Sequence, residues 1–237
     1  MFAAKDAVEQ GHIKRAALLA NTAMKHFVIP EIESIIDEGK AVSHKHISDK
    51  AAGVIAEPSK LKVKLETEHV DICYEPIIQS GGIYDLRPSA QSTNKHLHFG
   101  TIVMSLGASY RSYCSNIART VLIDPSSEQE AVYNVLLEAH TAAIAALRPG
   151  APVSAAMDAA VAVITQKKPE LVSKLVKSLG FAMGMEFRDS AWLITSKNSR
   201  VVHPGMVFNV ATGLQDLDRE DAPDPESFKY AQLFVLI

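Results

Sequence analysis

A chain of 237 residues with 47% hydrophobic and 22% charged residues has the composition of a folded globular protein of one or two domains. Its formal net charge of −3 lacks the basic excess of proteins that wrap nucleic acid, and no apolar run approaches the ~20 residues of a membrane helix. The N-terminus has no apolar stretch after a basic start, so no secretory signal is predicted. The two cysteines, Cys73 and Cys114, are too few for a disulfide framework, so buried free thiols are expected.

The N-terminal part of the chain has a helical pattern. Apolar residues recur at three- and four-residue spacing over residues 13–27, which places them on one helix face. Pro30 is expected to interrupt this helix, and the pattern then resumes until Gly39. Ser43 is placed to cap a further helix that runs toward Ala56.

The middle of the chain changes to the alternation typical of strands. Apolar and polar residues alternate over residues 70–75, and Pro76 is expected to end that strand. Two β-rich runs, 98–106 and 110–123, flank the tripeptide 107–109. This pattern predicts a hairpin in which Gly107 takes a positive φ in the turn.

Helices return before a final group of strands. Ser126 or Ser127 can cap a helix that ends at the Arg-Pro-Gly sequence of residues 148–150. A further helix is predicted over 153–166 and a short one over 169–178. The predicted strands that follow are residues 181–187, 192–195, 206–214 and 230–237.

These elements predict a single α+β domain over residues 1–237. Two helical groups would cover a mostly antiparallel sheet, and residues 1–57 would be a helical lead-in to the same domain.

Two His-x-His pairs have the spacing of metal ligands. Residues i and i+2 of a strand share a face, so His96 and His98 could hold a metal ion in principle. No nearby Cys, Asp or Glu supplies a third ligand, and we expect surface histidines both there and at His44 and His46.

The segment 102–124 contains a recognisable frame: Leu106-Gly107-Ala108, Tyr110, Tyr113 and Arg119-Thr120. This frame resembles the metal-binding hairpin of the methionine aminopeptidase, aminopeptidase P and creatinase family, and the resemblance implies the pita-bread fold. Active members have an Asp before the Leu-Gly pair and a second Asp eleven residues later. Ser105 and Asn116 occupy those two positions here.

Two later blocks agree with the same family. Residues 179–188 align with its Gly-His stretch, so that Phe181 stands at a metal-ligand His and Arg188 at a proton-handling His. Residues 203–208 align with its Pro-Gly-Met strand, and Ala211 stands where a Glu ligand follows. The fifth ligand, a Glu on the last strand, would fall near or beyond the end of the chain.

The resemblance therefore implies a degenerate active site. Two adjacent divalent cations need several carboxylates to offset their charge, and these positions supply none. We expect no catalytic residue, no metal and no cofactor. We also expect five positions to converge in space and to remain available to a peptide or a histone: Ser105, Asn116, Phe181, Arg188 and Ala211.

A closer resemblance covers residues 68–214. The blocks that carry it are residues 73–82, 98–100, 113–116, 168–171, 180–188 and 205–208, together with Arg119-Thr120. They resemble the peptidase-like domain of the large subunit of the FACT histone chaperone, which has lost its metal ligands. This implies a nuclear, chromosomal protein that reorganises nucleosomes in transcription, replication and DNA repair. Its partners would be histones and a smaller HMG-type subunit, without sequence-specific DNA binding. The family's upstream lobe, middle domains and acidic tail are expected to lie outside residues 1–237.

Three functions remain open at this point: a non-catalytic histone-binding domain, an active metal-dependent aminopeptidase or prolidase, and an inert scaffold for subunit assembly. Histones could contact the old cleft or the outer face. Arg188 could bind a peptide or form an internal salt bridge to Glu186 or Asp189. The acidic loop 216–226 could meet a basic histone surface or be merely solvated.

Overall fold

The computed structural model describes residues 3–82, 84–87 and 89–217, and the backbone of a last strand over 230–236. Its α-helices are α1 (Ala7–Ala23), α2 (Ile29–Asp37), α3 (His44–Ala56), α4 (Ser127–Ala146) and α5 (Ser154–Lys167). Its strands are β1 (Val70–Ser80), β2 (Thr101–Tyr110), β3 (Tyr113–Leu122), β4 (Gly180–Ala182), β5 (Asp189–Leu193), β6 (Phe208–Leu217) and β7 (Tyr230–Leu236).

The strands named above form one sheet in the order β1-β2-β3-β7-β6-β4-β5, and each pair is antiparallel. Helices α1 to α3 pack their apolar residues with β1 to β3, and α4 and α5 pack theirs with β6. The expected arrangement of two helical groups over an antiparallel sheet is therefore what the described residues form.

The N-terminal helix does not break at Pro30, contrary to the expectation. Helix α1, capped by Asp6 in a capping box with Glu9, continues through a π-helical turn (Met24–Val28) into α2. Proline removes a backbone N–H and clashes with the carbonyl four residues earlier. The wider π turn accommodates both effects, so the chain remains helical.

Pro76 does not end its strand either. Strand β1 continues to Ser80, and its pairing with β2 shifts register between Tyr74 and Ile77, on either side of the proline. Because β1 lies at the edge of the sheet, the missing N–H costs little there. The Pro76 carbonyl accepts hydrogen bonds from the Ser48 and Ser92 hydroxyls, which tie α3 and a loop to the bulge.

The β2–β3 hairpin turns at a different place from the predicted one. Arg111 and Ser112 form the turn, with φ of 48° and 67°, and Gly107 lies in mid-strand opposite Asn116. A Cβ at Gly107 would lie 2.9 Å from Tyr74 Cε1 and 3.0 Å from Cys73 Cβ. Glycine is needed here for close packing with β1, and not for a turn.

The later elements follow the prediction with shorter strands. Helix α4 begins at the predicted cap, because Ser126 and Gln129 form a capping box. The expected helix over 169–178 is a 3-10 helix, Pro169–Lys174. Strand β4 ends at Ala182 because the chain turns back, with the Gly184 N–H donating to the Glu186 carbonyl.

His44 is a core residue and not a surface histidine. Its Nδ1 lies 3.1 Å from the Thr93 hydroxyl and its Nε2 2.7 Å from the Ser80 hydroxyl. Burial lowers the pKa of His44, so the neutral ring ties α3 to the end of β1.

Both cysteines are free, with Cys114 buried and Cys73 half-buried. Within the described residues, no helix combines the length and apolar character that crossing a membrane requires.

Candidate functional site

Sheet register brings the predicted positions together. Ser105 on β2 lies opposite Ala118 on β3, and Asn116 lies opposite Gly107, so Ser105 and Asn116 are diagonal neighbours on one face. The same row continues through the backbone of β7 to Ala211 on β6. The register alone thus places three of the predicted positions on one side of the sheet.

The structure places all five predicted residues around one cavity of about 670 Å³. Ser105, Asn116 and Phe181 are buried at its base, Ala211 is half-buried, and Arg188 is exposed just before β5. Phe181 pairs with Asn209 of β6, which lines the same cavity. The alignment with the family motifs therefore identified residues that share a cavity, while their role stays a prediction.

A tyrosine hydroxyl connects the first two positions. Tyr74 Oη lies 2.6 Å from Ser105 Oγ, and Asn116 Nδ2 donates to Tyr74 Oη over 3.4 Å. Burial raises the pKa of Tyr74, so the phenol stays neutral. Three uncharged polar groups thus stand at the base of the cavity, where the peptidase motif has carboxylates.

An aromatic group fills the space beside them. The Phe187 ring centroid lies 5.1 Å from that of Tyr74 and 5.3 Å from that of Phe181. The Arg188 guanidinium lies over the Phe181 ring, 5.7 Å from its centroid. Among the described residues it forms no ion pair with Glu186 or Asp189, so the structure does not contain the internal salt bridge considered from the sequence.

The charges that line the cavity are mainly positive. Asp85 is neutralised by Arg87, whose Nη2 and Nε donate to its carboxylate at 2.6 to 3.0 Å. Arg188 and Lys177 also line the cavity and are exposed, and neither meets a carboxylate among the described residues. The lining described here therefore carries two uncompensated cations.

Two carbonyl oxygens in the lining have no hydrogen-bond donor. They are Oδ1 of Asn116 and Oδ1 of Asn209, and these side chains belong to residues that are 5% and 3% exposed. A buried acceptor without a donor costs free energy, and such a group calls for an explanation. Both atoms have almost no solvent-accessible surface, so a molecule in the cavity could not reach them without a rearrangement of the lining.

The donor chemistry of this cavity does not fit the metal pair of the active enzymes. The carboxylate in its described lining is Asp85, which Arg87 already binds on both oxygens. No group of three His, Cys, Asp or Glu residues in the described part of the chain could hold a metal ion. The acidic loop predicted over 216–226 lies outside the described residues from position 218 onward.

Sequence reasoning missed several residues of the cavity, among them Tyr74, Lys177 and Asn209. The alternating pattern of β1, paired with β2, could have placed Tyr74 on the sheet face that carries Ser105. Asn209 follows the Pro-Gly-Met block by three positions and could have been found from strand alternation toward Ala211. Lys177 carries no motif, and its position depends on how the chain leaves the 3-10 helix before β4.

Sequence comparison relates this chain both to a metallopeptidase family and to subunits of the FACT complex. The model of the family described as "Metallopeptidase family M24" matches residues 11–232 of this chain. FACT complex subunit SPT16 of Arabidopsis thaliana is 47% identical, over 99% of this chain and 22% of that protein. The corresponding subunit of Dictyostelium discoideum is 43% identical, over 97% of this chain and 22% of that protein. The chain thus spans about a fifth of the length of these relatives.

Solved structures give the same answer for the fold. The N-terminal domain of FACT complex subunit SPT16 from Cicer arietinum has a TM-score of 0.96 and 45% identity, over 99% of this chain and 55% of that one. An X-Pro aminopeptidase from Thermotoga maritima has a TM-score of 0.74 and 23% identity, over 98% of this chain and 58% of that one. These likenesses confirm the predicted α+β pita-bread fold.

Proposed function

The chain belongs to metallopeptidase family M24, and from that premise we propose that it is a non-catalytic, histone-binding domain of a FACT complex subunit of the SPT16 type. Support comes from the 47% identity to the Arabidopsis subunit. Further support comes from the similarity of the fold to that of the N-terminal domain of the Cicer arietinum (chickpea) subunit. Residues 1–237 form one domain in this proposal, with residues 1–57 as its helical lead-in. Its work is nucleosome reorganisation in transcription, replication and DNA repair, in the nucleus and on chromosomes.

The donor set of the cavity is the observation that carries the non-catalytic part of the proposal. Two divalent cations need several carboxylates around them. Ser105 and Asn116 offer uncharged oxygens, Ala211 offers none, and Arg188 adds a positive charge beside Phe181. The proposed domain therefore keeps the peptidase fold without the peptidase reaction, and the five residues are a degenerate site.

Histones and nucleosomes are the proposed partners, and the outer surface is the proposed docking face. Arg188 and Lys177 line the cavity without a carboxylate partner among the described residues, and this positive charge disfavours a basic histone tail in the cleft. A formal net charge of −3 suits a basic partner elsewhere on the surface. The smaller HMG-type subunit would bind to regions of the SPT16-type subunit other than this domain.

The test of histone binding is a pull-down with the 237-residue chain as bait. Recombinant core-histone complexes, each intact or without tails, are compared at two salt concentrations. Both forms are expected to be retained, less strongly at high salt because screening weakens the attraction. The Arg188→Gln variant is expected to retain them equally. Loss of binding for tail-less histones and for this variant would place a histone tail in the cleft, and no retention at all would favour the inert scaffold.

Metal retention separates the proposal from an active aminopeptidase or prolidase. The chain is equilibrated with Mn²⁺ or Co²⁺, dialysed against metal-free buffer and analysed for metal content. We expect no stoichiometric metal, because the described cavity lining offers one carboxylate and Arg87 already binds it. The Thermotoga X-Pro aminopeptidase, treated identically, is the positive control of the same fold. Two tightly held equivalents per chain would overturn the non-catalytic assignment.

A further inference from the structure

A second cavity, of about 620 Å³, lies at the tip of the β2–β3 hairpin, and we call it the hairpin cavity. Residues of α1, of the chain before β1 and of the hairpin turn line it, and it shares none of its described lining residues with the degenerate site. We propose that the hairpin cavity binds the phosphate group of a peptide phosphorylated on serine or threonine, with Arg15 and Lys64 as the cations that hold it. This inference does not depend on the proposed function.

The charges of the hairpin cavity leave two cations without a partner. Glu66 is the one carboxylate in the described lining, and its Oε2 accepts from Arg111 Nη2 at 2.6 Å and from Tyr110 Oη at 3.2 Å. Glu66 and Arg111 therefore compensate each other. Arg15 and Lys64 are exposed and form no ion pair among the described residues. An anion that enters the cavity can reach both.

Aromatic packing gives Arg15 a defined position. Its guanidinium carbon lies 5.6 Å from the centroid of the Tyr110 ring, and that of Arg111 lies 5.8 Å from the same centroid. The ring itself is fixed, because Tyr110 is buried, donates to Glu66 and packs against the His12 ring at 5.8 Å. A guanidinium beside a fixed ring is suited to bind two oxygens of one phosphate through parallel hydrogen bonds.

A phosphate monoester matches this charge better than other common anions. At pH 7 it carries a charge of about −1.5 to −2 on three acceptor oxygens, which two cations around one cavity compensate. A carboxylate carries a single charge and would leave one of the two cations unpaired. A nucleic acid strand spreads its charge along a backbone and needs an extended basic surface, whereas this chain has a formal net charge of −3.

The size of the hairpin cavity favours a phosphorylated side chain over a free phosphate ion. Its volume of about 620 Å³ lies within the range of sites that hold small organic ligands. Leu65 and the Tyr110 ring add apolar surface to the lining, which can cover the carbon atoms next to the phosphate. Because Arg15 and Lys64 are exposed, the short side chain of phosphoserine or phosphothreonine can reach them from a peptide at the mouth.

The experiment measures binding to the 237-residue chain by fluorescence anisotropy. The probe is a fluorescein-labelled peptide, GAGSGAG, phosphorylated on its serine and blocked at both termini. The comparison ligands are the unphosphorylated peptide, the same peptide with glutamate in place of phosphoserine, and a single-stranded thymidine oligonucleotide. We expect the phosphopeptide to bind at least about tenfold more tightly than each of the other three. Its binding should weaken with added salt, and inorganic phosphate should displace it only in large excess.

Matched variants locate the site. Arg15→Gln and Lys64→Gln are each expected to weaken phosphopeptide binding by about fivefold or more. Glu66→Gln should instead strengthen it by roughly two- to fivefold, because it removes the negative charge of the lining and releases Arg111. Lys14→Gln is the control, since Lys14 is the exposed neighbour of Arg15 on α1 and does not line the hairpin cavity. Thermal melts confirm that each variant is folded.

Several results would overturn the proposal. The phosphopeptide might fail to bind, in which case the cavity has no such ligand. Equal binding of the unphosphorylated or glutamate peptide would remove the selectivity for phosphate, and equal binding of the oligonucleotide would assign the cations to a nucleic-acid surface. Displacement by equimolar inorganic phosphate would remove the role of the peptide. Weakening by Lys14→Gln as large as that by Arg15→Gln, or weakening by Glu66→Gln, would place binding outside this cavity.

Discussion

At the scale of single residues, the base of the cavity depends on one phenol. Tyr74 Oη is the partner of both the Ser105 hydroxyl and the Asn116 amide. In the active family these two positions carry charge that a metal pair compensates, whereas here a neutral hydroxyl connects them. The tyrosine thus contributes to stability in a place where the family motif supplies ligands for catalysis.

Replacing this phenol tests that contribution. Tyr74→Phe keeps the ring beside Phe187 and removes the hydroxyl, which leaves Ser105 and Asn116 without that partner. We expect the free energy of unfolding to fall by about 1 to 2 kcal/mol, the cost of unpairing buried polar groups, as measured by urea denaturation. Tyr113→Phe is the control: its hydroxyl donates to Glu9 at the surface, and its removal should leave stability close to wild type. Equal effects of the two substitutions would contradict this role for Tyr74.

At the scale of elements, the β1–β2 contact is set by a glycine. Gly107 lies in the interior of β2, and the approach of Tyr74 and Cys73 from β1 leaves no room for a side chain. Glycine is normally a weak residue in a strand, and a close backbone approach is one of the reasons to keep it. The same contact brings Tyr74 to the cavity, so element packing and site geometry have one cause.

Adding one methyl group tests this contact. In Gly107→Ala the new Cβ would lie 2.9 Å from Tyr74 Cε1 and 3.2 Å from Asn116 Cβ. We expect a loss of about 1 to 3 kcal/mol in the free energy of unfolding, as for other overpacked interiors. Gly53→Ala is the matched control: Gly53 lies in α3 with nothing within 4 Å of the added Cβ. It should instead gain about 0.5 to 1 kcal/mol, because alanine is favoured over glycine in a helix. The same sign for both variants would contradict the steric argument.

Elements specified by local sequence could be predicted, and those specified by distant contacts could not. Helix α4 begins where its Ser126 cap indicated, since the capping box lies within four residues. The hairpin turn was misplaced because Gly107 is required by close packing against Tyr74 and not by a turn. Tyr74 lies more than thirty positions earlier in the sequence, so no local pattern reports this contact. Pro30 and Pro76 were interpreted as ends of elements, whereas a π turn and an edge-strand bulge accommodate them.

The same division holds within the cavity. Ser105 and Asn116 were found because a fixed spacing on one hairpin carries them. The resemblance of the chain to the FACT large subunit is confirmed, while the role of these two residues stays a prediction. Asn209 and Lys177 were missed, because their presence in the cavity follows from the β4–β6 register and from the chain before β4. Spacing motifs report neighbours along the chain, and a binding surface also depends on neighbours across the sheet.

At the scale of the whole molecule, a buried histidine joins the C-terminal helical layer to the sheet. His140 on α4 is fully buried, and its Nδ1 lies 2.9 Å from the Thr212 hydroxyl on β6. Burial lowers the pKa of His140 to about 4, and the nearby charge of Arg119 acts in the same direction. At pH 7 this histidine is neutral in the folded chain and mainly neutral in the unfolded chain. Below the unfolded value of 6.5 the unfolded chain binds the proton first, so stability falls as the pH falls toward 4.

The size of this effect can be measured with a substitution that cannot titrate. Between pH 7 and pH 5 the single histidine should lower the free energy of unfolding by about 2 kcal/mol. His140→Gln removes that proton while keeping an amide near Thr212, so its stability should fall by about 2 kcal/mol less than wild type over the same interval. Urea denaturation at both pH values gives the difference, whatever the variant's stability at pH 7. His46→Gln, at an exposed histidine of α3, should follow the wild type. If His140→Gln lost as much stability as wild type on acidification, the acid sensitivity would belong to other titratable groups. The buried contact of His140 on α4 with Thr212 on β6 would then not be its cause.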